Sequence, residues 1–225
     1  MPDLPIKIAA SILLADYSRM GDELRALEDA GCDIVQWDVM DGHFVPQITF
    51  GPGVIEKCRA ATSMEFEAQL MIYQPEWTAA DYVKAGCSRV IVHAESGPHV
   101  HRAIDLVREE GGTAGIAVNP GTAVSAVEGV LDEVDLILVM TVDPGFAGRP
   151  FQQTSLARIA AARALADGRH VEIDGGVGPD NIGKAAAAGA NYFVAASSIF
   201  KGPYDETIAN LRQLAEEGAR SAQSG

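Results

Sequence analysis

Two aspartates, Asp38 and Asp174, stand where proton-transfer chemistry would need them. Each ends or nearly ends a short apolar run, 33–40 and 170–174, and each run leads into glycine, at Asp41-Gly42 and Gly175-Gly176. Side chains two apart on a strand share a face. Gln36, Asp38 and Met40 therefore point one way together, as do Gln69 with Met71 and Glu172 with Asp174. A carboxylate on the inner face of an apolar wall is costly unless it is hydrogen-bonded or put to use. The plainer reading of both aspartates is loop anchoring. The functional one is an acid/base pair, since one group cannot serve both faces of a carbon. Glu172 lies deeper and reads as structural.

Ser11 also falls at a strand end, and His93 there is as good a candidate for substrate contact as for packing. Met40, Met71 and Met140 read first as core, though at equivalent strand ends they would also make an adaptable apolar floor. His43 and His101 read as loop or helix-surface residues.

A second cluster is chemically different. Gly175-Gly176-Val177-Gly178 and Ala196-Ser197-Ser198 each follow a strand. Glycine lets backbone N–H groups approach an anion closely. The formal net charge of −14 leaves no basic surface for a nucleic acid, so any phosphate site has to be local and built from backbone donors.

The elements that would position these groups alternate regularly. Eight candidate strands cover residues 6–11, 33–40, 65–71, 89–93, 114–119, 136–141, 170–174 and 192–195, each followed by a helical stretch such as 17–30, 76–85, 100–110, 155–166 or 205–219. Glycine often stands between helix and next strand, as in Ala30-Gly31-Cys32 and Ala85-Gly86-Cys87. Eight alternating units in 225 residues predict a single α/β domain over 1–225, a (β/α)8 TIM barrel, with 221–225 as a disordered tail. A doubly wound sheet is the alternative, but it would open on a glycine-rich turn, whereas the first strand here runs into Ser11-Ile12-Leu13-Leu14. In such barrels chemistry gathers where strands end, and the loops after strands 7 and 8 recur as the phosphate cradle.

No apolar run reaches the roughly 18 residues of a membrane span, and no signal-peptide pattern precedes Lys7, so a cytoplasmic location is expected. Cys32, Cys58 and Cys87 lack metal-type spacing and read as reduced packing residues.

Several ordered motifs resemble one family. They are Ala10-Ser11-Ile12-Leu13, Trp37-Asp38-Val39-Met40-Asp41-Gly42-His43-Phe44-Val45-Pro46, Gln69-Leu70-Met71-Ile72, Val92-His93-Ala94-Glu95, Asn119-Pro120-Gly121-Thr122, Val142-Asp143-Pro144-Gly145-Phe146 and Ile173-Asp174-Gly175-Gly176-Val177. Over almost its whole length the chain is similar to ribulose-phosphate 3-epimerases, barrels of the ribulose-phosphate-binding type. The resemblance implies epimerisation of a ketopentose phosphate at C3 through an enediolate, with Asp38 and Asp174 as the acid/base pair. It implies that Ser11 and the methionines line the site. It also implies that Gly145, Phe146, Ala147 and Gly148, Gly175 and Gly176, and Ala196 and Ser197 hold the phosphate. A homo-oligomer is expected on the same ground.

The family generally holds a divalent metal (zinc, iron or manganese) on a His-x-Asp pair, a second histidine and the later aspartate. Gln36 and Gln69 occupy both histidine positions here, beside Asp38 and Asp174. Amide oxygens are poor ligands for such ions, so no metal is expected, and the amides are candidate hydrogen-bond donors to a developing oxyanion. Asp143 stands where the family usually has Asn, Ala147 and Ala196 where it has Gly, and Arg149 where Gln is common, which suggests an altered substrate. An enediolate-forming lyase, either aldolase or decarboxylase, and a non-catalytic sugar-phosphate binder remain as alternatives.

Overall fold

In β2 (Ile34–Met40) Val35, Trp37 and Val39 face one side, Ile34, Gln36, Asp38 and Met40 the other, and all seven are buried. A strand covered on both faces belongs in a parallel sheet with helices outside it. The computed structural model, which describes residues 4–223, shows that sheet closed on itself. The ring runs in chain order through β1 (Lys7–Ser11), β2, β3 (Glu65–Met71), β4 (Arg89–His93), β5 (Thr113–Val118), β6 (Leu136–Met140), β7 (His170–Asp174) and β8 (Tyr192–Ala195). β1 pairs in parallel with both β2 and β8, which closes the barrel.

Two apolar layers hold it. Outside the ring, Val35, Trp37 and Phe66 pack with Leu24 and Leu27 of α1 (Met20–Asp29) and Ile55 of α2 (Pro52–Cys58). The same layer takes in Ile104 of α4 (Val100–Glu109) and Ile159 of α5 (Ser155–Leu165), with α3 (Ala79–Lys84) packed between α2 and α4. It continues through Ile182 of α6 (Ile182–Ala187), Ile199 of α7 (Ser197–Phe200) and Leu211 of α8 (Tyr204–Gln223). Inside the ring, Ala9, Ile34, Ile91, Ala117, Leu136, Leu138 and Val194 form a second cluster. The interior is therefore filled, and only its open end can hold a ligand.

Every predicted strand is present to within a residue at each end. The helices differ more. The stretch from Tyr17 opens as a 3-10 turn, Tyr17–Arg19, capped by the Asp16 carboxylate on the Ser18 N–H at 3.0 Å, before α1 begins. The stretch from Glu76 divides likewise into a 3-10 turn, Pro75–Trp77, and α3, and the segment after β5, Val124–Glu133, is wound entirely as a 3-10 helix. Glycine ends α1 as expected: Gly31 has φ +78°, and the following Cys32 N–H returns to the Leu27 carbonyl at 3.0 Å. The last helix continues past Ala219 to Gln223, so residues 221–223, expected as tail, are helical, while 224–225 lie outside the described residues. Among the described residues no helix is long and apolar enough to cross a membrane. All three cysteines are free, and burial pushes the Cys32 and Cys87 thiols up to about 11 and 12, which keeps them unreactive.

Candidate active site

At the C-terminal end of the ring the inward side chains turn polar. Asp38 comes from β2 and Asp174 from the end of β7, so β1 and β8 lie between them. Their backbones are pinned by threonines. The Thr49 hydroxyl donates to the Asp38 carbonyl, and that of Thr141, just after β6, reaches the carbonyls of Asp174 (2.9 Å) and Gly175 (2.5 Å). Neither threonine stood out in the sequence, because both act through backbone neighbours that only the register defines.

The two aspartates open onto a cavity at the mouth of the barrel. Ser11, Met40, Met71 and Met140 line it with them, and so do residues 145–148, 175–176 and 196–197. Gln36, Gln69 and His93 do not: each is 0 % exposed, and together they lie beneath the floor. Sequence reasoning passed over Leu13, Val142, Val177 and Val194 in the wall, because it followed polar types. Val194 could have been found from the pairing of β7 and β8, which sets it beside Asp174. Phe146 stands 46 % exposed at the rim, and Arg149 belongs to the same loop. Among the described lining residues there is no lysine, so nothing here suits Schiff-base chemistry.

Gly176 does more than admit an anion. Its φ is +64°, and a Cβ there would lie 2.5 Å from Phe151 N and 2.6 Å from the Arg149 carbonyl oxygen. The loop after β7 thus lies flat against the loop after β6, and no residue with a side chain fits between them.

Beneath the floor the two amides serve the carboxylates. Ser11 Oγ donates to Asp38 Oδ2 at 2.5 Å and Gln36 Nε2 to Asp38 Oδ1 at 2.8 Å. Amide ends are assigned from their neighbours. With the Gln69 oxygen toward His93 Nε2, at 3.0 Å, its nitrogen reaches Asp174 Oδ2 at 2.9 Å and Asp38 Oδ1 at 3.2 Å. The reverse assignment gives Gln36 Nε2 a bond to the Gln69 oxygen at 2.9 Å, but it aims the Gln69 nitrogen at His93 and the Met140 sulfur and brings its oxygen against two carboxylates. We adopt the first, in which one amide nitrogen bridges both aspartates. It also brings the Gln36 and Gln69 nitrogens to 2.9 Å.

Burial raises Asp174 well above the ordinary carboxylate range, and the charge of Asp38 raises it further. Burial raises Asp38 as well, against the opposing bonds from Ser11 and Gln36. Burial and their mutual charge disfavour ionising both carboxyls at once. Deeper in the barrel the 0 % exposed Glu172 finds no N–H or O–H donor. Burial and then the neighbouring Glu67 raise it well above its usual value, while Glu67 itself is paired with Arg89 at 2.8 Å. Glu172 is thus structural, as its depth suggested. His43 stacks on Tyr73 in an exposed loop, and His101 lies on the surface of α4 between Asp105 and Glu133, both as expected.

This donor set does not fit a divalent metal. The amide nitrogens and the Ser11 hydroxyl already occupy both Asp38 oxygens and Asp174 Oδ2, and the site offers no imidazole at either glutamine position. Zinc, iron and manganese sites rest on imidazole and free carboxylate oxygens.

A closed parallel barrel with paired carboxyls and glycine-rich loops at its open end defines a β/α-barrel enzyme of the sugar-phosphate type. The profile of the ribulose-phosphate 3 epimerase family matches residues 7–200. The chain is 44 % identical over 214 residues to the ribulose-phosphate 3-epimerase of Synechocystis sp., covering 92 % of this chain and 93 % of that one. It is 42 % identical over 200 residues to the enzyme of the same name from Bacillus subtilis, covering 87 % and 92 %. Among solved structures, 3-hexulose-6-phosphate synthase from Salmonella typhimurium superposes with a TM-score of 0.73 at 15 % identity, covering 95 % of this chain and 100 % of that one, a likeness of fold alone. The chain belongs to the ribulose-phosphate 3-epimerase family.

Proposed function

We propose that this epimerase inverts C3 of a ketopentose 5-phosphate through the Asp38–Asp174 pair without a resident divalent metal. The observation that carries the reading is the single Gln69 nitrogen in reach of both aspartates, beside the cavity that the glycine loops complete. With one proton held between them, the pair contains a base and an acid at neutral pH. The ionised aspartate takes the C3 proton, and the electron pair moves into the C2–C3 bond and on to the carbonyl oxygen. The protonated aspartate then returns a proton to C3 from the opposite face. The pair ends with its proton exchanged between partners, ready for the reverse reaction.

Asp38 and Asp174 enter from strands three steps apart around the ring, which suits attack on two faces of one carbon. Met40, Met71 and Met140 keep water from the reacting carbon, where a fixed proton counts for more than in water. Backbone N–H groups of residues 145–148, 175–176 and 196–197 receive the phosphate. The two glutamine amides, expected as donors to the oxyanion, lie under the floor and act on the carboxyls instead.

The test is incubation with ribulose 5-phosphate in deuterated water, followed by NMR at C3, on protein purified without chelator and assayed for bound metal. Deuterium uptake with no stoichiometric zinc, iron or manganese is expected, and either Asp38→Asn or Asp174→Asn should slow it by about 10²- to 10⁴-fold. Absence of uptake from pentulose and hexulose phosphates alike would sink the epimerase reading. One equivalent of metal per chain would sink the metal-free part of it.

A further inference from the structure

Ile48 and Trp77 are 80 % and 73 % exposed, more than any other large apolar side chain among the described residues. With Tyr73 they edge one hollow, lined below by the buried Phe50, Ile72 and Tyr82. Single exposed apolar residues are ordinary, but a contiguous group of them marks a contact surface. Covering these three side chains would hide roughly 400 Å² per copy. That is half of the roughly 800 Å² per partner found in stable interfaces.

The face is built in advance. Ile48 sits on a loop closed by its own bridge to Asp41 and by the Gly42 N–H on the Gln47 carbonyl at 2.8 Å. Trp77 ends the 3-10 turn that follows Gln74, whose backbone is left-handed at φ 56° and ψ 57°, a conformation costly to any residue with a Cβ. The Asp41 carboxylate clamps the two loops together, accepting from the His43, Phe44 and Tyr73 N–H groups at 2.8 Å each. A partner docking here has little to order. Met40 lines both this hollow and the catalytic cavity, so the face backs on to the wall of the site.

Charge says what covers it. The chain has 31 acidic and 17 basic groups, yet residues 42–55 and 68–75, which carry Ile48 and Tyr73, contain none of either. A basic partner would be drawn to the acidic remainder of the surface, whereas a second acidic chain is tolerated where charge is sparse. Beside Trp77 a smaller hollow holds Glu76 and Arg102 of α4. Neither has an ion-pair partner in the chain among the described residues, and Glu76 Oε2 is buried without a hydrogen bond. A two-fold axis makes a contact between two residues occur twice, with their roles exchanged. We propose that a second copy of this chain docks here about a two-fold axis, with the Trp77 faces packed together and Glu76 of each copy paired with Arg102 of the other. The proposal does not depend on the epimerase reading.

Sedimentation velocity at micromolar protein tests it. The wild type is expected to hold an even number of chains. Trp77→Glu, with far-UV circular dichroism to verify its fold, should halve that mass and weaken the pairing by about 30-fold or more. A wild type that is a monomer throughout would overturn the proposal and leave the face to a different protein. An unchanged mass in a folded Trp77→Glu would overturn it as well, since the copies would then meet elsewhere.

The charge pair gives a second test that leaves the apolar face intact. Glu76→Arg sets like charges against Arg102 of the other copy, and Arg102→Glu does the same against Glu76, so each alone should weaken self-association about tenfold or more. An equal mixture of the two variants places opposite charges at both crossings and should pair as tightly as the wild type. Only contact between chains predicts rescue by mixing. A mixture that pairs no better than either variant alone, or single variants that pair like the wild type, would refute the two-fold arrangement.

Discussion

At the scale of single residues, the site depends on what occupies two positions, 36 and 69. An imidazole at each would present a lone pair toward the space between Asp38 and Asp174, and an amide presents N–H. Two matched exchanges thus convert a set of acceptors suited to a cation into a set of donors and acceptors suited to a proton. If that is the whole difference, it is reversible. Gln36→His with Gln69→His is expected to bind one zinc ion per chain with Kd of about 1 µM or tighter, roughly −8 kcal/mol, by isothermal titration. Each single variant, with three ligands, should bind more weakly. A double variant that takes up no zinc would mean that the backbone at these positions no longer suits a metal. Both aspartates were legible in the sequence, because strand period and the adjoining glycines single them out. The amide network was not, since it depends on the β2–β3 register that sets Asp38 beside Gln69 and on which way an amide is turned.

At the scale of elements, the strands carry ionisable groups inward at more than one level. β3 and β7 each place a glutamate a step below the layer of Gln69 and Asp174, Glu67 and Glu172, and β4 adds Arg89. One guanidinium for two carboxyls leaves Glu172 protonated, as burial and Glu67 require. A group whose folded-state pKa is raised contributes stability that is complete below its unfolded value and is lost as pH rises through the folded value. Glu172 therefore makes the barrel less stable at neutral than at mildly acidic pH. Glu172→Gln keeps the shape and needs no proton, so at pH 8 it should raise Tm by about 2–4 °C, on the order of 1 kcal/mol, with a smaller gain toward pH 5. Scanning calorimetry across that range checks the sign. A Tm lowered equally at every pH would show that the carboxyl is needed for packing or for Arg89. The strands could be read to within a residue because their two-sided burial leaves continuous apolar runs. The helices could be read less well, because Pro75 and the valine-rich segment at 124–133 change the winding locally without changing the apolar pattern.

At the scale of the whole molecule, eight alternating units in this length predict a barrel, and the pairing of β1 with β8 closes it. The net charge was legible too, and its consequence is kinetic. A chain at −14 repels a dianionic sugar phosphate at distances beyond the reach of its glycine loops. At 0.01 M salt the screening length is about 30 Å, comparable to a small domain, and at 0.15 M it is about 8 Å. Added salt should therefore weaken the repulsion before it weakens short contacts at the phosphate. The expected result is a kcat/KM that rises about two- to threefold between 10 and 150 mM sodium chloride, the opposite of an enzyme that steers its substrate in. Arg149 lines the cavity mouth and works against the global field, so Arg149→Gln should lower kcat/KM most at low salt and steepen the rise. A steady fall with salt in the wild type would show that the positive groups at the mouth govern capture and that the charge of the rest of the surface is too distant to be felt.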